Sequence, residues 1–299
     1  MIRFMPSIFI LSATISWLLT SCLIPFLKSG FMDNPNHRSS HIRATPRGGG
    51  IAFVLVGTLL NFVYETGPSR WIPVACLPLA LVGLVDDFRE LPAVLRYVVQ
   101  FVTAIILVGL ADRPMSIWLS IVSVLLITAI INFTNFMDGL DGLVAGCGVL
   151  LMASTSSWAI SGAIFGFLIW NWAPAKVFMG DIGSTYIGAV FGGMLIHIRS
   201  DHDALSILLI GFPLFADAFI CVIRRFVNGE NIFEAHRKHL FQRLQQAGWS
   251  HQHVATLYTS AVGVLLLSYT IGGFAVLIIS ILTESVIACY LERNVATEF

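Results

Sequence analysis

The sequence predicts an all-α protein that crosses a membrane many times, and three observations predict it. Hydrophobic residues make up 57% of the 299 residues, and Asp, Glu, Lys and Arg only 11%, against about 25% charged residues in an average soluble domain. A soluble globule this poor in charge could not cover its surface, so a mean hydropathy of +0.84 reads as lipid-facing area. Apolar residues also come in runs near the ~20 residues that a bilayer-crossing helix needs. They lack the alternation over about ten residues that marks a transmembrane barrel strand. Finally, most of the charges fall between the runs. The same figures exclude intrinsic disorder, which needs low hydrophobicity. They exclude a basic nucleic-acid binder too, because 17 Lys and Arg are matched by 17 Asp and Glu.

Eleven segments follow in order, at 6–27, 49–65, 71–85, 93–111, 116–134, 140–155, 158–172, 184–198, 204–223, 254–270 and 272–291. They are read as one integral-membrane domain over 1–299. The first resembles a leader with a lipoprotein-like Leu19-Thr20-Ser21-Cys22 box, but its apolar run continues to Leu27 and only Arg3 precedes it. A retained helix is the better reading. Several middle segments are short and contain Gly or Pro. Segment nine carries Asp217, which would be costly against lipid and is expected to face the interior. Cys22, Cys76, Cys147, Cys221 and Cys289 fall one per apolar segment with no Cys-x-x-Cys pair, so they read as small buried apolar residues.

Numbering the segments sorts the loops onto two faces. One receives 28–48, 86–92, 135–139, 173–183, 224–253 and the tail from 292, and counting Arg96 at the mouth of the fourth segment it holds thirteen of the seventeen Lys and Arg; the other keeps Arg3, Arg70, Arg113 and Arg199. The positive-inside rule makes the basic face cytoplasmic. All the longer polar loops lie there, so any chemistry is expected there.

Four constellations stand on that face. Gly83-Leu84-Val85-Asp86-Asp87-Phe88 places adjacent carboxylates at a helix end, where they repel unless a cation or donor neutralises them. A solvated helix end is the bland alternative. Arg96 follows nine residues later, as a phosphate partner or a snorkelling side chain. In Asn132-Phe133-Thr134-Asn135-Phe136-Met137-Asp138-Gly139-Leu140-Asp141-Gly142, polar residues recur every third position and would neighbour one another on a helix. Such an oxygen-rich cluster suits a hard cation; an Asp-Gly turn explains the glycines but not the ladder. Lys176-Val177-Phe178-Met179-Gly180-Asp181-Ile182-Gly183-Ser184 opens an apolar helix, whose free N–H groups favour phosphate unless Asp181 is simply an N-cap. The stretch from Asn231 to Gly248 reads as an amphipathic helix presenting His236, His239 and Arg243 on one face. With no Cys or third His nearby in sequence, and Arg and Lys around it, phosphate or sugar recognition fits better than zinc. A helix lying on anionic headgroups is the competitor. A weaker feature is the first loop, from Asp33 through His37, Arg38 and His41 to Arg47-Gly48-Gly49-Gly50, whose glycines permit close backbone approach or a flexible entry to segment two.

Acidic and Asn-bearing sites with a basic segment on one membrane face suit a magnesium-bound phosphorylated substrate meeting a lipid. VGLVDDF, NFTNFMDGLDGL, KVFMGDIGS and HRKHLFQRL, in this order, resemble the polyprenyl-phosphate N-acetylhexosamine-1-phosphate transferases over nearly the whole chain. The resemblance implies transfer of a sugar 1-phosphate from a UDP-sugar to undecaprenyl phosphate with release of UMP, in a bacterial plasma (inner) membrane with the site facing the cytoplasm. It implies Mg2+, with Mn2+ as a substitute, and leaves room for a homodimer. Asn135 and Asp181 would be the metal ligands. Asp86 and Asp87 would sit beside the lipid phosphate, one as candidate base, and Asp138 and Asp141 would complete the catalytic set around metal and nucleotide. Arg96, Lys176, His236, Arg237, His239 and Arg243 would bind substrate. HRKHLFQRL replaces the consecutive His run of the phospho-MurNAc-pentapeptide transferases. The chain therefore looks like the branch initiating O-antigen and related polysaccharides, and closest to members that use 6-deoxy sugars such as N-acetylfucosamine or N-acetylquinovosamine, with N-acetylglucosamine also open. The alternatives are phospho-MurNAc-pentapeptide transfer and, from another class, a transporter. A transporter would place polar residues near the midplane in related halves, and only Asp217 is a good midplane candidate. An intramembrane aspartyl protease lacks support, because Phe178 stands where its Gly-x-Gly-Asp pattern needs Gly.

Overall fold

A computed structural model describes residues 5–35, 40, 43–89, 91–112, 114–232, 234 and 236–299. His37, Arg38 and His41 of the first loop lie outside the described residues. Every predicted segment is helical. In chain order the helices are α1 (Pro6–Lys28), α2 (Gly50–Tyr64), α3 (Ile72–Ala75), α4 (Leu77–Phe88), α5 (Ala93–Gly109), α6 (Ile117–Phe136), α7 (Leu143–Ser154) and α8 (Trp158–Asn171). After these come α9 (Gly180–Ile196), α10 (Asp201–Ile210), α11 (Phe212–Val227), α12 (Leu240–Gln246) and α13 (His251–Asn294). One two-residue ladder departs from the all-α expectation. Strand β1 (Met32–Asp33) pairs antiparallel with β2 (Thr45–Pro46), with Met32 opposite Pro46, and ties down the first loop.

Among the described residues four helical stretches are long and apolar enough to cross a membrane: α1, Pro68–Phe88, α6 and α13. The helices α10 and α11 make a fifth if counted together, but they bend by 75°. The bend falls at Gly211, just before Pro213 at the start of α11, whose missing N–H and ring cannot continue the preceding helix. Shorter apolar helices fill in among them. Predicted segments ten and eleven are the two halves of α13, separated at Gly273, where φ is +67°. Ser268 and Ser280 share a 2.8 Å hydroxyl hydrogen bond. A straight helix would put them ~18 Å apart, so the chain turns back on itself there.

The centre of the bundle is α9, buried from Ile182 to Ile196 and packed by α2, α4, α5 and α6. Its small residues let neighbours approach closely, as expected where lipid removes most of the hydrophobic drive between helices. The helix α1 packs along α8, and Ser12 donates to the Ala159 carbonyl. The first segment is thus an integral part of the bundle. Cys76, Cys147 and Cys221 are buried as expected, whereas Cys22 and Cys289 are exposed; all five are free.

Contacts reproduce the two faces. Loops around residues 46, 87, 141, 175 and 251 bond to one another, and Thr297 reaches Arg243. On the opposite face His197 Nδ1 lies 3.5 Å from Asp112. The tail therefore returns to the face that carries loop 224–253, as an odd number of crossings requires.

Candidate active site

The end of α4 delivers Asp86 and Asp87 to one point, side by side but differently used. Asp86 accepts from the Leu91 amide at 2.7 Å and from Arg96 Nη1 at 2.8 Å. Asp87, whose side chain is 3% exposed, accepts from the amides of Asp181 (3.0 Å) and Ile182 (3.3 Å). The N-terminus of α9 was expected to offer free N–H groups to phosphate, with Asp181 as the alternative cap. Instead Asp87, from a distant helix, takes those amides, which corrects both readings. The reason is geometric: α4 and α9 pack directly, so a carboxylate at the end of one reaches the start of the other. Arg47 braces the pair from the first loop, donating to the backbone carbonyls of Asp87 (2.6 Å) and Asp86 (3.3 Å). The glycine run beside it does make a close approach. Gly49 and Gly50 donate to the carbonyls of Phe178 and Met179 at 2.9 and 3.0 Å, and a Cβ on Gly50 would stand 2.7 Å from the Met179 oxygen.

The second motif does not form the expected ladder, because α6 stops at Phe136. Asn132 pairs with Gln100 at 2.7 Å. Asn135 donates to Asp181 Oδ1 (3.0 Å) and to Ser184 Oγ (2.9 Å), which fixes the metal-ligand candidate Asp181 and leaves the Asn135 amide oxygen unused by these bonds. Asp138 lies beyond the helix end, and its carboxyl is held well above the usual range. Burial is the main cause, followed by the carboxylates of Asp181, Asp87 and Asp141. Asp141 turns away from that group. It pairs with His251 Nδ1 at 3.2 Å and accepts from the Ala175 amide at 3.0 Å. His251, at the start of α13, also contacts the Ser40 carbonyl at 3.1 Å. Asp141 and His251 thus tie four loops together.

Asp86, Asp87, Arg96, Asn135, Asp138 and Asp181 are therefore brought into one group. Arg96 Nη1 lies 3.6 Å from Asp181 as well as beside Asp86. The group opens into a small crevice of about 50 Å3 between α4, α5, α6 and α9, with Arg96, Asn135 and Asp181 on its polar side and Leu79, Val82 and Phe136 on its apolar side. One compact positive group and several acceptors beside apolar wall suit a phosphate on an apolar chain.

The fourth motif departs most from expectation. Residues 236–239 are not helical; helix begins only at Leu240. The cause is Asp217 of α11, which accepts from the Leu240 (2.8 Å) and Phe241 (3.1 Å) amides and from Tyr258 Oη (2.6 Å). That carboxylate fixes the start of α12, so both histidines precede the helix instead of lining its face. Asp217 does face the interior as expected, and its oxygens are committed to these donors. The histidine rings still meet, 5.0 Å between centroids, and His239 Nδ1 is 3.7 Å from Asp217. His236 is pushed down to about 4, by burial first and then by its electrostatic interactions with His239 and Arg225. The expectation that no Cys is near these residues fails in three dimensions, since Cys221, His236 and His239 place ligand atoms within 4.8 Å of one another. Arg225, which braces the loop through the Ile232 and Glu234 carbonyls, and Lys238 stand beside this group, both paired with Glu230 at 3.0 and 2.5 Å.

Other assigned residues lie apart from the carboxylates. Lys176 is exposed, its ammonium 4.9 Å over the Trp170 ring. Arg237 donates to Gln245 at 2.9 Å. Arg243 is buried, 4% exposed in its side chain, and paired with Glu292 at 2.6 Å; it does not share a face with the histidines. The residues that sequence reasoning missed as site builders are Glu292, His251 and Tyr258, together with Asn171, which accepts from the Gly142 amide and donates to Val177. Single residues in apolar helices carry no local spacing signal.

The profile of glycosyl transferase family 4 matches residues 70–199, which carry the aspartate pair, the Asn-Asp turn and the Gly-Asp helix start. A probable undecaprenyl-phosphate N-acetylglucosaminyl 1-phosphate transferase of Bacillus subtilis is 30% identical over 261 residues, covering 76% of this chain and 73% of its own. The chain belongs to glycosyl transferase family 4. An undecaprenyl-phosphate α-N-acetylglucosaminyl 1-phosphate transferase of Thermotoga maritima is 32% identical, over 77% of this chain and 80% of its own. A phospho-N-acetylmuramoyl-pentapeptide-transferase of Staphylococcus carnosus is 26% identical, over 82% and 93%. These relatives cover more of the chain than the matched profile does.

Proposed function

We propose that the protein transfers an N-acetylhexosamine 1-phosphate from a UDP-sugar to undecaprenyl phosphate, on the cytoplasmic side of a bacterial inner membrane. The observation that carries this reading is the gathering of Asp86, Asp87, Asn135, Asp138 and Asp181 around Arg96 at a crevice with an apolar wall. The names of the relatives support the same reaction class. An oxygen-only donor set, with Asp138 raised by burial and then by neighbouring carboxylates, suits a divalent ion, and Asp181 with the Asn135 amide oxygen would hold Mg2+ or Mn2+. When bound, the ion offsets phosphate charge and polarises the donor diphosphate.

In this reading Arg96 receives the lipid phosphate, and Asp86 sets the guanidinium in place. An oxygen of the lipid phosphate attacks the sugar-side phosphorus of the donor. The bond to the bridging oxygen breaks, and UMP leaves with that oxygen. Both Asp87 oxygens are committed to the α9 amides, which supports direct attack over an aspartyl nucleophile. A phosphate monoester, with its second pKa near ~6, needs little help from a base at pH 7. His236 is neutral there, and with His239 it would contact the sugar phosphate. The product would be the first lipid-linked sugar of an O-antigen or related polysaccharide.

The test is UMP release by purified protein with UDP-N-acetylglucosamine, UDP-linked 6-deoxy N-acetylhexosamines and UDP-MurNAc-pentapeptide. Release is expected only when undecaprenyl phosphate and Mg2+ are both present, and chelation should stop it. Silence across the panel would sink the proposal, and turnover of the pentapeptide donor alone would move the chain to peptidoglycan synthesis.

A further inference from the structure

The loop carrying His236 and His239 is held from a side the reaction scheme does not use. Near the end of α13, Glu292 Oε1 lies 2.5 Å from Arg224 Nη1 of α11 and 2.6 Å from Arg243 Nη1 of α12. Arg243 Nε donates to the Thr297 carbonyl at 2.7 Å, and the Thr297 amide returns a longer bond to the Arg243 carbonyl at 3.4 Å. The Phe299 ring lies 5.4, 5.2 and 5.6 Å from the charged groups of Arg224, Lys238 and Arg243. These residues ring one end of a cavity of about 490 Å3 between α11 and α13, separate from the carboxylate group. Two guanidiniums on one carboxylate oxygen repel each other. Remove that charge and the buried Arg243 loses its compensation.

The helix α12 passes the constraint on. Its Phe241 is fully buried, and a Cβ on Gly139, next to Asp138, would stand 3.1 Å from that ring. The His239 ring stacks 5.6 Å from Phe241 and lies 6.3 Å from Phe136. One short helix is thus anchored to Glu292 and Thr297 through Arg243, while its start meets the histidines and the Asp138 turn. The ion-pair partners of Glu292 are on α11 and α12. Asp86, Asp87 and Arg96 are on α4 and α5, outside that network.

We propose that Glu292 is a positioning residue for the nucleotide-sugar half of the site, acting through Arg243 on the 236–241 segment and leaving the lipid-phosphate half unaffected. The proposal rests on the transferase reading above. The test uses the full chain with Glu292→Gln, Glu292→Asp and Phe299→Ala, and reads UMP release against donor and acceptor separately. Hydrogen exchange supplies an independent readout. Glu292→Gln should raise the donor KM by about tenfold, with kcat within about threefold and the acceptor KM unchanged, and Glu292→Asp should restore most of the loss. Amides of 236–247 should exchange about tenfold faster, with those of 180–190 unchanged. An unchanged donor KM, or equal shifts in both KM values, overturns the proposal. If Glu292→Gln does not accumulate, Glu292→Asp is read by the same criteria at smaller amplitude, and Phe299→Ala, which removes the ring and keeps the ion pairs, is the control that should leave both KM values near wild type. Wild-type protein releasing no UMP with any donor defeats the transferase reading; the exchange arm then stands alone, and unchanged protection at 236–247 overturns the clamp.

Discussion

Among the described residues Arg96 is the cation placed between Asp86 and Asp181, 2.8 and 3.6 Å away, and the proposed lipid phosphate and divalent ion would make opposite demands on it. A lipid phosphate needs the guanidinium, whereas a divalent ion competes with it for the same carboxylates. Arg96→Gln should therefore raise the acceptor KM by about tenfold or more, ~1.4 kcal/mol of lost binding per tenfold, and lower the Mg2+ concentration that gives half activity. Titrating both in one assay checks this; an unchanged acceptor KM would remove Arg96 from the lipid side. At this scale much of the site was legible, because Asp86, Asp87, Asn135, Asp138 and Asp181 stand in short polar motifs against an apolar background. Their division of labour was not legible. Adjacent in sequence, Asp86 holds a guanidinium and Asp87 caps a helix ninety-odd residues away, because successive residues on a helix point about 100° apart.

At the scale of elements, the site depends on how closely α4 and α9 pack. A Cβ on Gly83 would stand 2.7 Å from the backbone of Asp181 and Ile182, so a methyl group there must push the helices apart. Gly83→Ala should cost about 1–3 kcal/mol of stability from overpacking. It should also cost activity beyond that, because Asp87 would lose its reach to the α9 amides. Thermal unfolding and UMP release measured together check it; wild-type activity would mean that the cap tolerates the shift. Hydropathy located every apolar segment within a few residues, without the breaks that divide α3 from α4 and α10 from α11. It failed at α12, where a sequence with helical spacing from Asn231 is, among its described residues, helical only from Leu240. The cap that starts this helix comes from Asp217 on α11, and no local pattern contains it.

For the whole molecule, the contact between Thr297 and Arg243 puts the tail on the face of loop 224–253. The charge asymmetry predicts that this face is the cytoplasmic one. Single Cys residues introduced at 229 and 298, in a variant lacking the five native ones, should be shielded from a membrane-impermeant thiol reagent in intact cells, while one at 201 reacts. Labelling at 298 but not at 229 would show an even number of crossings and contradict the fold.

By itself the sequence determined what depends on composition and short range. It set the all-α membrane architecture, the segments, the loop-rich face, the aspartate pair and the family resemblance, because hydrophobicity and motif spacing are local properties. Only the tertiary structure decided which carboxylate caps, which pairs and which stays available. It alone brought Cys221 to the histidines and Glu292 to Arg243. These contacts join residues tens to more than a hundred positions apart, and long-range packing of helices that look alike in sequence chooses them.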